Sequence, residues 1–356
     1  MSEVLNVNPS MIKWAREDAG FSLDELPGYL KDAEKWESGE KIPTWTDLRN
    51  MAEKYKRPSF FYFLKKPPID NDDFIDFRLD KKEFSPELRL EIRKAKSRRN
   101  AYLRIHEDMG IPVPDFSKHI CFEKNPVKLG RYIRKYLNTD FETQQKWMLN
   151  DNGNHKSFLD HWKEVCFDLG ILVFETKEVS QSEISGCSLY YEYCPVILLN
   201  AKYYPNRKIF TLMHELAHLI QKTSAVCDVD KHNKKEAFCN KVASEILMPQ
   251  DTFKNLQDNH ELNVSELCDI YGVSKESIVY KLNDYGLIEG IIKLESDNQK
   301  MKENGEASIS AVSMDGAPYT RFILDAYDND VITSTQAMRY LDTSLDKIKA
   351  LDLSDV

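Results

Sequence analysis

Two histidines four residues apart, with a glutamate after the first, occur at His214-Glu215-Leu216-Ala217-His218. On an α-helix this spacing sets the two imidazoles about 40° apart on one face, where they can grip a single metal ion. Two neutral imidazoles suit Zn²⁺, and Glu215 falls beside the metal, where a carboxylate can deprotonate a bound water. The bland alternative is a solvated helix face that happens to carry two histidines. The flanks argue otherwise: Ile209, Phe210, Leu212 and Met213 precede the motif, and Leu219 and Ile220 follow it. A helix so apolar belongs in a core, where two histidines and a glutamate are costly unless they are compensated.

A catalytic zinc needs a third protein ligand and an open position. The metzincin continuation fails, because its required Gly and His are replaced by Gln221 and Ser224. A thermolysin-like, or gluzincin-like, site takes a glutamate from a following helix instead. Glu236 opens Lys234–Leu247, a stretch with the apolar periodicity of a packed helix. Asn240 stands one turn later on the same face, placed to orient a ligand histidine. Cys227, Asp228, Asp230, His232 and Glu245 compete for the third position. The first four belong to a polar segment between helices, and Glu245 lies on another side of its helix, so spacing and context favour Glu236.

The elements that must position these residues can be read from pattern. Trp162–Leu169 predicts a helix ended by Gly170, and Ile171–Phe174, Ser188–Tyr193 and Pro195–Asn200 predict strands. Val196, Ile197, Leu198 and Leu199 are expected to form a strand able to pair with an extended substrate at a sheet edge. Arg207–Lys222 is the motif helix. Upstream, Asn8-Pro9-Ser10 reads as a helix start, Gly20 as its end, and Ser22 with Glu25 as a capping box for a second helix. Val264–Leu282 predicts two short helices joined at Gly272, and Thr333–Leu351 is helical text at the end of a tail.

The chain has 356 residues, 42 % hydrophobic and 30 % charged, enough for two or three domains. No run reaches the roughly 18 apolar residues of a membrane span, and the first residues lack a signal-peptide core, so a cytoplasmic protein with no membrane partner is expected. Seven cysteines without a CxxC pair read as reduced thiols. The net charge of −9 disfavours bulk nucleic-acid binding. Positive charge concentrates between Pro86 and His106, where Arg89, Arg93, Lys94, Lys96, Arg98, Arg99 and Arg104 face only Glu87 and Glu91. This is the remaining nucleic-acid candidate, although such charge runs more often form solvated or interdomain helices.

Ile209–Ile220, the preceding Val196–Asn200 and the later Glu236-x-x-Cys-Asn-x-x-Ala-Ser-Glu-Ile-Leu-Met-Pro249 resemble the ImmA/IrrE family of zinc metallopeptidases. Ile184-Ser-Gly-Cys-Ser-Leu-Tyr190 is similar to the family's Gly-x-Ser-Leu strand. The resemblance implies that His214, His218 and Glu236 are metal ligands and Glu215 the general base. It also implies a protein substrate, an XRE-type repressor cut to release stress or mobile-element genes. Residues 8 to 64 resemble an XRE/Cro-type helix-turn-helix domain through Trp14-Ala-Arg-Glu, Trp36-Glu-Ser-Gly39 and Pro43-Thr44. Ser22 to Trp36 is shorter than that pattern, Pro27-Gly28 interrupts it, and residues 1 to 64 carry a net charge of −2. These departures favour a degenerate unit that binds protein over one that reads DNA.

The expected architecture is α+β: a zincin-like peptidase domain, with a small sheet and the HExxH helix, flanked by all-α helix-turn-helix-like domains. The boundaries read as 1–66 for the N-terminal unit, 67–125 for a linker and basic helix, and 126–255 for the peptidase. Residues 256–295 form a small helical unit and 296–356 a C-terminal tail region. The competing function is a transcriptional regulator or protein-binding module with a non-catalytic metal site.

Overall fold

The computed structural model describes residues 6–67, 84–150, 153–222, 234–252, 264–284 and 315–350. In chain order the helices are α1 (Pro9–Asp18), α2 (Ala33–Ser38), α3 (Trp45–Tyr55), α4 (Pro86–Met109), α5 (Pro126–Tyr136), α6 (Phe141–Asn150), α7 (His155–Asp168), α8 (Pro205–Ile220), α9 (Lys234–Leu247), α10 (Val264–Tyr271), α11 (Lys275–Asp284), α12 (Ala317–Asp328), α13 (Ser334–Tyr340) and α14 (Leu345–Ala350). The strands are β1 (Leu172–Thr176), β2 (Gly186–Leu189) and β3 (Val196–Asn200). None of the described helices is long and apolar enough to cross a membrane.

The described residues fall into two compact units, one running through Lys94 and the other starting at Ala95, with α4 contributing to both. In the first, Asn8 caps α1 by accepting from the Ser10 amide at 3.1 Å, with Pro9 in the first helical position, as the sequence predicts. Ile12, Ala15, Leu30, Trp36, Leu48, Met51 and Tyr55 make its core. Ser22 and Glu25 do form the predicted hydrogen bonds, with the Ser22 amide and hydroxyl both donating to Glu25 at 2.8 Å. They close a turn and start no helix, because Pro27 follows at once and only a 3-10 turn, Gly28–Leu30, forms there. The next helix, α2, has six residues.

In the second unit the strand order is β1-β3-β2, with β1 parallel and β2 antiparallel to β3. This corrects the expectation for Val196, Ile197, Leu198 and Leu199. They form the central strand, and both of its edges are taken by neighbours, so no substrate can pair there. β1 and β2 are the outer strands. Ile197 and Leu199 share a core with α7 and α8, through Phe158, Trp162, Leu212, Leu216 and Leu219. On the opposite face Phe174 meets Tyr319 of α12 edge-on, with ring centroids 5.2 Å apart, and the Arg98 guanidinium lies 5.3 Å from the Phe174 ring. Helices on both faces explain why every strand residue is buried and why β3 is apolar at successive positions.

Two further expectations change. The pair α10–α11, joined at Gly272 with φ +68°, places Leu267, Tyr271, Ile278 and Leu282 in the same core as α8 and α9, so it has no separate core of its own. The C-terminal region is no tail from Asp315 on: Tyr319, Ile323 and Leu324 are buried, and Asp315 pairs with Arg98.

Part of the basic stretch of α4 is engaged in contacts within each unit. In the first unit Arg93 donates to Asp18 at 2.8 Å and Lys94 lies 3.0 Å from Glu91. In the second, Arg99 donates to the carbonyls of Cys194 (2.9 Å) and Tyr193 (2.8 Å) and covers the Tyr191 ring at 3.6 Å. Arg93, Lys94 and Arg99 are thus each engaged within their own unit, while Arg104 is exposed.

Candidate metal centre

The centre is built from two helices. α8 starts at Pro205, whose missing amide costs nothing in the first turn, and runs through the HExxH motif. α9 packs against it and covers the predicted Lys234–Leu247. The packing brings His214, His218 and Glu236 together, with one ligand atom from each lying within 4.8 Å of the others, and this group could hold a metal ion. His214 Nε2 lies 3.0 Å from Glu236 Oε2, His218 Nε2 lies 3.4 Å from Glu236 Oε1, and the two Nε2 atoms are 3.1 Å apart. Both histidines are buried, and Glu236 is largely so.

Asn240, one turn beyond Glu236, accepts a hydrogen bond from His214 Nδ1 at 2.8 Å. Nδ1 therefore carries the proton, and Nε2 of the neutral ring turns its lone pair toward the carboxylate. The His214 lone pair and an anionic oxygen meet at one point, with His218 Nε2 beside them, an arrangement that repels itself unless a cation or a proton sits between them. The donor set fits Zn²⁺: two imidazoles and one carboxylate, with room in the coordination shell for water. Without metal a proton serves instead. Burial alone would lower the His214 pKa, but the hydrogen bond to Glu236 and the charges of Glu215 and Glu236 raise it. Burial likewise pushes Glu236 up, and the hydrogen bonds and charges of His214 and His218 override that and hold its carboxyl far below the usual range.

Glu215 is fully buried, and neither carboxylate oxygen has a hydrogen-bond partner among the described residues. Such a group costs about 1–3 kcal/mol or more when left unsatisfied, so its retention beside the His–His–Glu cluster calls for a use.

Of the rival ligands, only Glu245 lies among the described residues. Glu245 is buried elsewhere on α9, paired with Lys281 at 2.8 Å and accepting from the Gln250 amide at 3.0 Å. Cys227, Asp228, Asp230 and His232 lie outside the described residues.

Three features of the site escaped the sequence reading. Asn200 does more than end β3: its side-chain amide donates to the carbonyls of Val179, Ser180 and Ile184, tying down the turn that leads into β2. Glu175 of β1 is buried between Lys163 (2.5 Å) and Lys208 (2.6 Å), linking the sheet to α7 and α8. Gly186 lets β2 lie close against α8, since a Cβ there would stand 2.6 Å from Thr211 Cγ2 and 3.5 Å from Glu215 Cγ. The glycine within an otherwise strand-like run was the available signal for this close approach.

Residues 166–283, about a third of the chain, match a peptidase family model described as the IrrE N-terminal-like domain. The match covers all three strands, α8, α9, α10 and most of α11, and it points to a protease role and supports the ImmA/IrrE resemblance. No curated protein and no solved structure gives a match to the chain.

Proposed function

We propose that the chain is a zinc-dependent endopeptidase in which His214, His218 and Glu236 hold the metal and Glu215 is the general base. The observation that carries this reading is the buried Glu215 carboxylate, with no hydrogen bond among the described residues, next to a cluster of side chains that could hold a metal. A structural metal site has no use for such a base, which weighs against a regulator with a non-catalytic metal. Bound zinc supplies polarisation of the scissile carbonyl and a water of lowered pKa. Glu215 takes the proton of the attacking water and delivers it to the leaving amine. Asn240 keeps the His214 ring in the tautomer that presents Nε2.

The substrate that the ImmA/IrrE resemblance suggests is an XRE-type repressor. The N-terminal unit is proposed to recognise protein. Ile42, Trp45 and Phe60 expose large apolar side chains there, and six-residue α2 makes a poor major-groove reader.

The test exposes a proteome-derived peptide library to the zinc-loaded chain, the chelated chain and Glu215→Gln, with cleavage positions read by mass spectrometry. Cleavage is expected from the zinc-loaded wild type alone, with the zinc content of Glu215→Gln intact. Undiminished cleavage by Glu215→Gln overturns the mechanism. Cutting of the repressor encoded nearest this chain, at one bond and only with metal, tests the substrate.

A further inference from the structure

Glu215 is not alone in lacking a hydrogen bond among the described residues. Ser188, in the middle of β2, is 2 % exposed, and its Oγ has no hydrogen-bond partner among the described residues. The register Gly186↔Leu199 and Ser188↔Ile197 puts Ser188 on the same sheet face as Gly186, Ile197 and Leu199. That face is the one packed on α8, as the shared core and the approach of Gly186 to Thr211 and Glu215 establish. Two residues past Ser188, the Tyr190 ring meets the Lys222 ammonium at 5.2 Å. β2 and α8 therefore run in the same sense, with Gly186 beside Thr211–Glu215 and Tyr190 beside Lys222. An advance of about 7 Å from Gly186 to Ser188 corresponds to between four and five helical residues, roughly the level of the Glu215–His218 turn.

Two buried polar groups thus lie on facing surfaces of the strand–helix contact at about the same level, neither with a hydrogen-bond partner among the described residues. Leaving a hydroxyl in that condition costs about 1–3 kcal/mol, and alanine would fill the same strand position without the cost. We propose that Ser188 Oγ and the Glu215 carboxylate share one water, and that Ser188 is a positioning residue for the peptidase reaction. The water donates one hydrogen to Glu215 and the other to Ser188 Oγ. With both hydrogens held, its lone pairs are fixed in direction and Glu215 meets a proton already aligned for transfer. Ser188 forms no covalent bond and takes no proton. Its catalytic role rests on the endopeptidase reading; the shared water does not.

The experiment combines a high-resolution crystal structure of the zinc-loaded chain with kinetics of Ser188→Ala and Ser188→Thr on a peptide drawn from the library cleavage. The structure is expected to hold a water within hydrogen-bond reach of both Ser188 Oγ and Glu215. Ser188→Ala is expected to melt no lower than the wild type and to keep its zinc affinity and KM. It should lose about tenfold or more in kcat, as expected for a positioning hydrogen bond, and Ser188→Thr, which keeps the oxygen, should recover part of that loss. A Ser188→Ala variant with wild-type kcat overturns the positioning role. A Ser188 hydroxyl bonded only to protein, with no water shared with Glu215, overturns the site itself. If the water is in place and the wild type cleaves nothing, the shared site stands and the peptidase reading falls.

Discussion

Replacing Asn240 with alanine removes one hydrogen bond, 2.8 Å long, from His214 Nδ1. His214 is 5 % exposed, so water cannot readily replace the lost acceptor. An N–H left without a partner in such a place costs about 1–3 kcal/mol. The ring can escape that cost by turning or by moving its proton to Nε2, and either change takes the lone pair off the metal position. Expressed as binding, the loss is about 5- to 150-fold in zinc affinity, in line with the roughly 10–100-fold typical of removing a partner that orients a ligand histidine. The helix itself does not suffer, because alanine is the better helix former. The assay is a competition titration of zinc against a chromophoric chelator at neutral pH, with Asn240→Asp as a control. The aspartate accepts the same hydrogen bond, so its affinity is expected to match or exceed the wild type. An Asn240→Ala variant within about twofold of wild type would refute the argument that this hydrogen bond sets the ring's tautomer.

Glu175→Gln leaves the Lys163 and Lys208 ammonium groups close together without their shared anion, and Lys163 is 3 % exposed. Breaking such a buried pair costs about 3–5 kcal/mol, which urea or thermal unfolding should register; a change under about 0.5 kcal/mol would refute this. Burial pushes the Glu175 carboxyl up, but the two lysines lower its pKa below 4.5 overall, so its stabilisation is present above 4.5 and lost as pH falls through the folded value. The metal-free centre has a pH signature of its own. The raised His214 pKa gives stability that is full below 6.5 and lost as pH rises through the folded value. The depressed Glu236 carboxyl acts in the other direction, its contribution fading as pH falls from 4.5. Melting of the chelated protein should therefore fall as pH is raised above about 6.5 while that of the zinc-loaded protein does not; parallel curves would contradict the proton-for-metal exchange.

The sequence made the metal cluster legible because its geometry is local. Four-residue spacing on one helix and a glutamate at the head of the next leave few alternatives, and α9 begins and ends where its apolar periodicity predicts. Pairing order was harder to read. Val196–Leu199 suggested an edge, yet four successive apolar residues are the pattern of a strand covered on both faces, a sign of a central strand. The cover over the second face was not readable at all. Arg98 and Asp315 meet across more than two hundred residues of chain, and no local pattern announces a pairing at that separation. Ser22 and Glu25 failed differently: their hydrogen bonds formed as predicted, and Pro27 denied them a helix to cap.

That distant cover carries a consequence for how the protein comes into being. The back of the sheet is dried by Tyr319 and the buried face of α12, which are among the last described residues to be synthesised. HExxH, Glu236 and β2 all emerge earlier, but until α12 is made Phe174 lacks the Tyr319 ring that packs on it. A chain that stops short of α12 therefore carries His214, Glu215, His218 and Glu236 on a sheet whose second face lacks that ring. Synthesis through α12, and not through α9 alone, is what completes the scaffold on which the candidate centre sits.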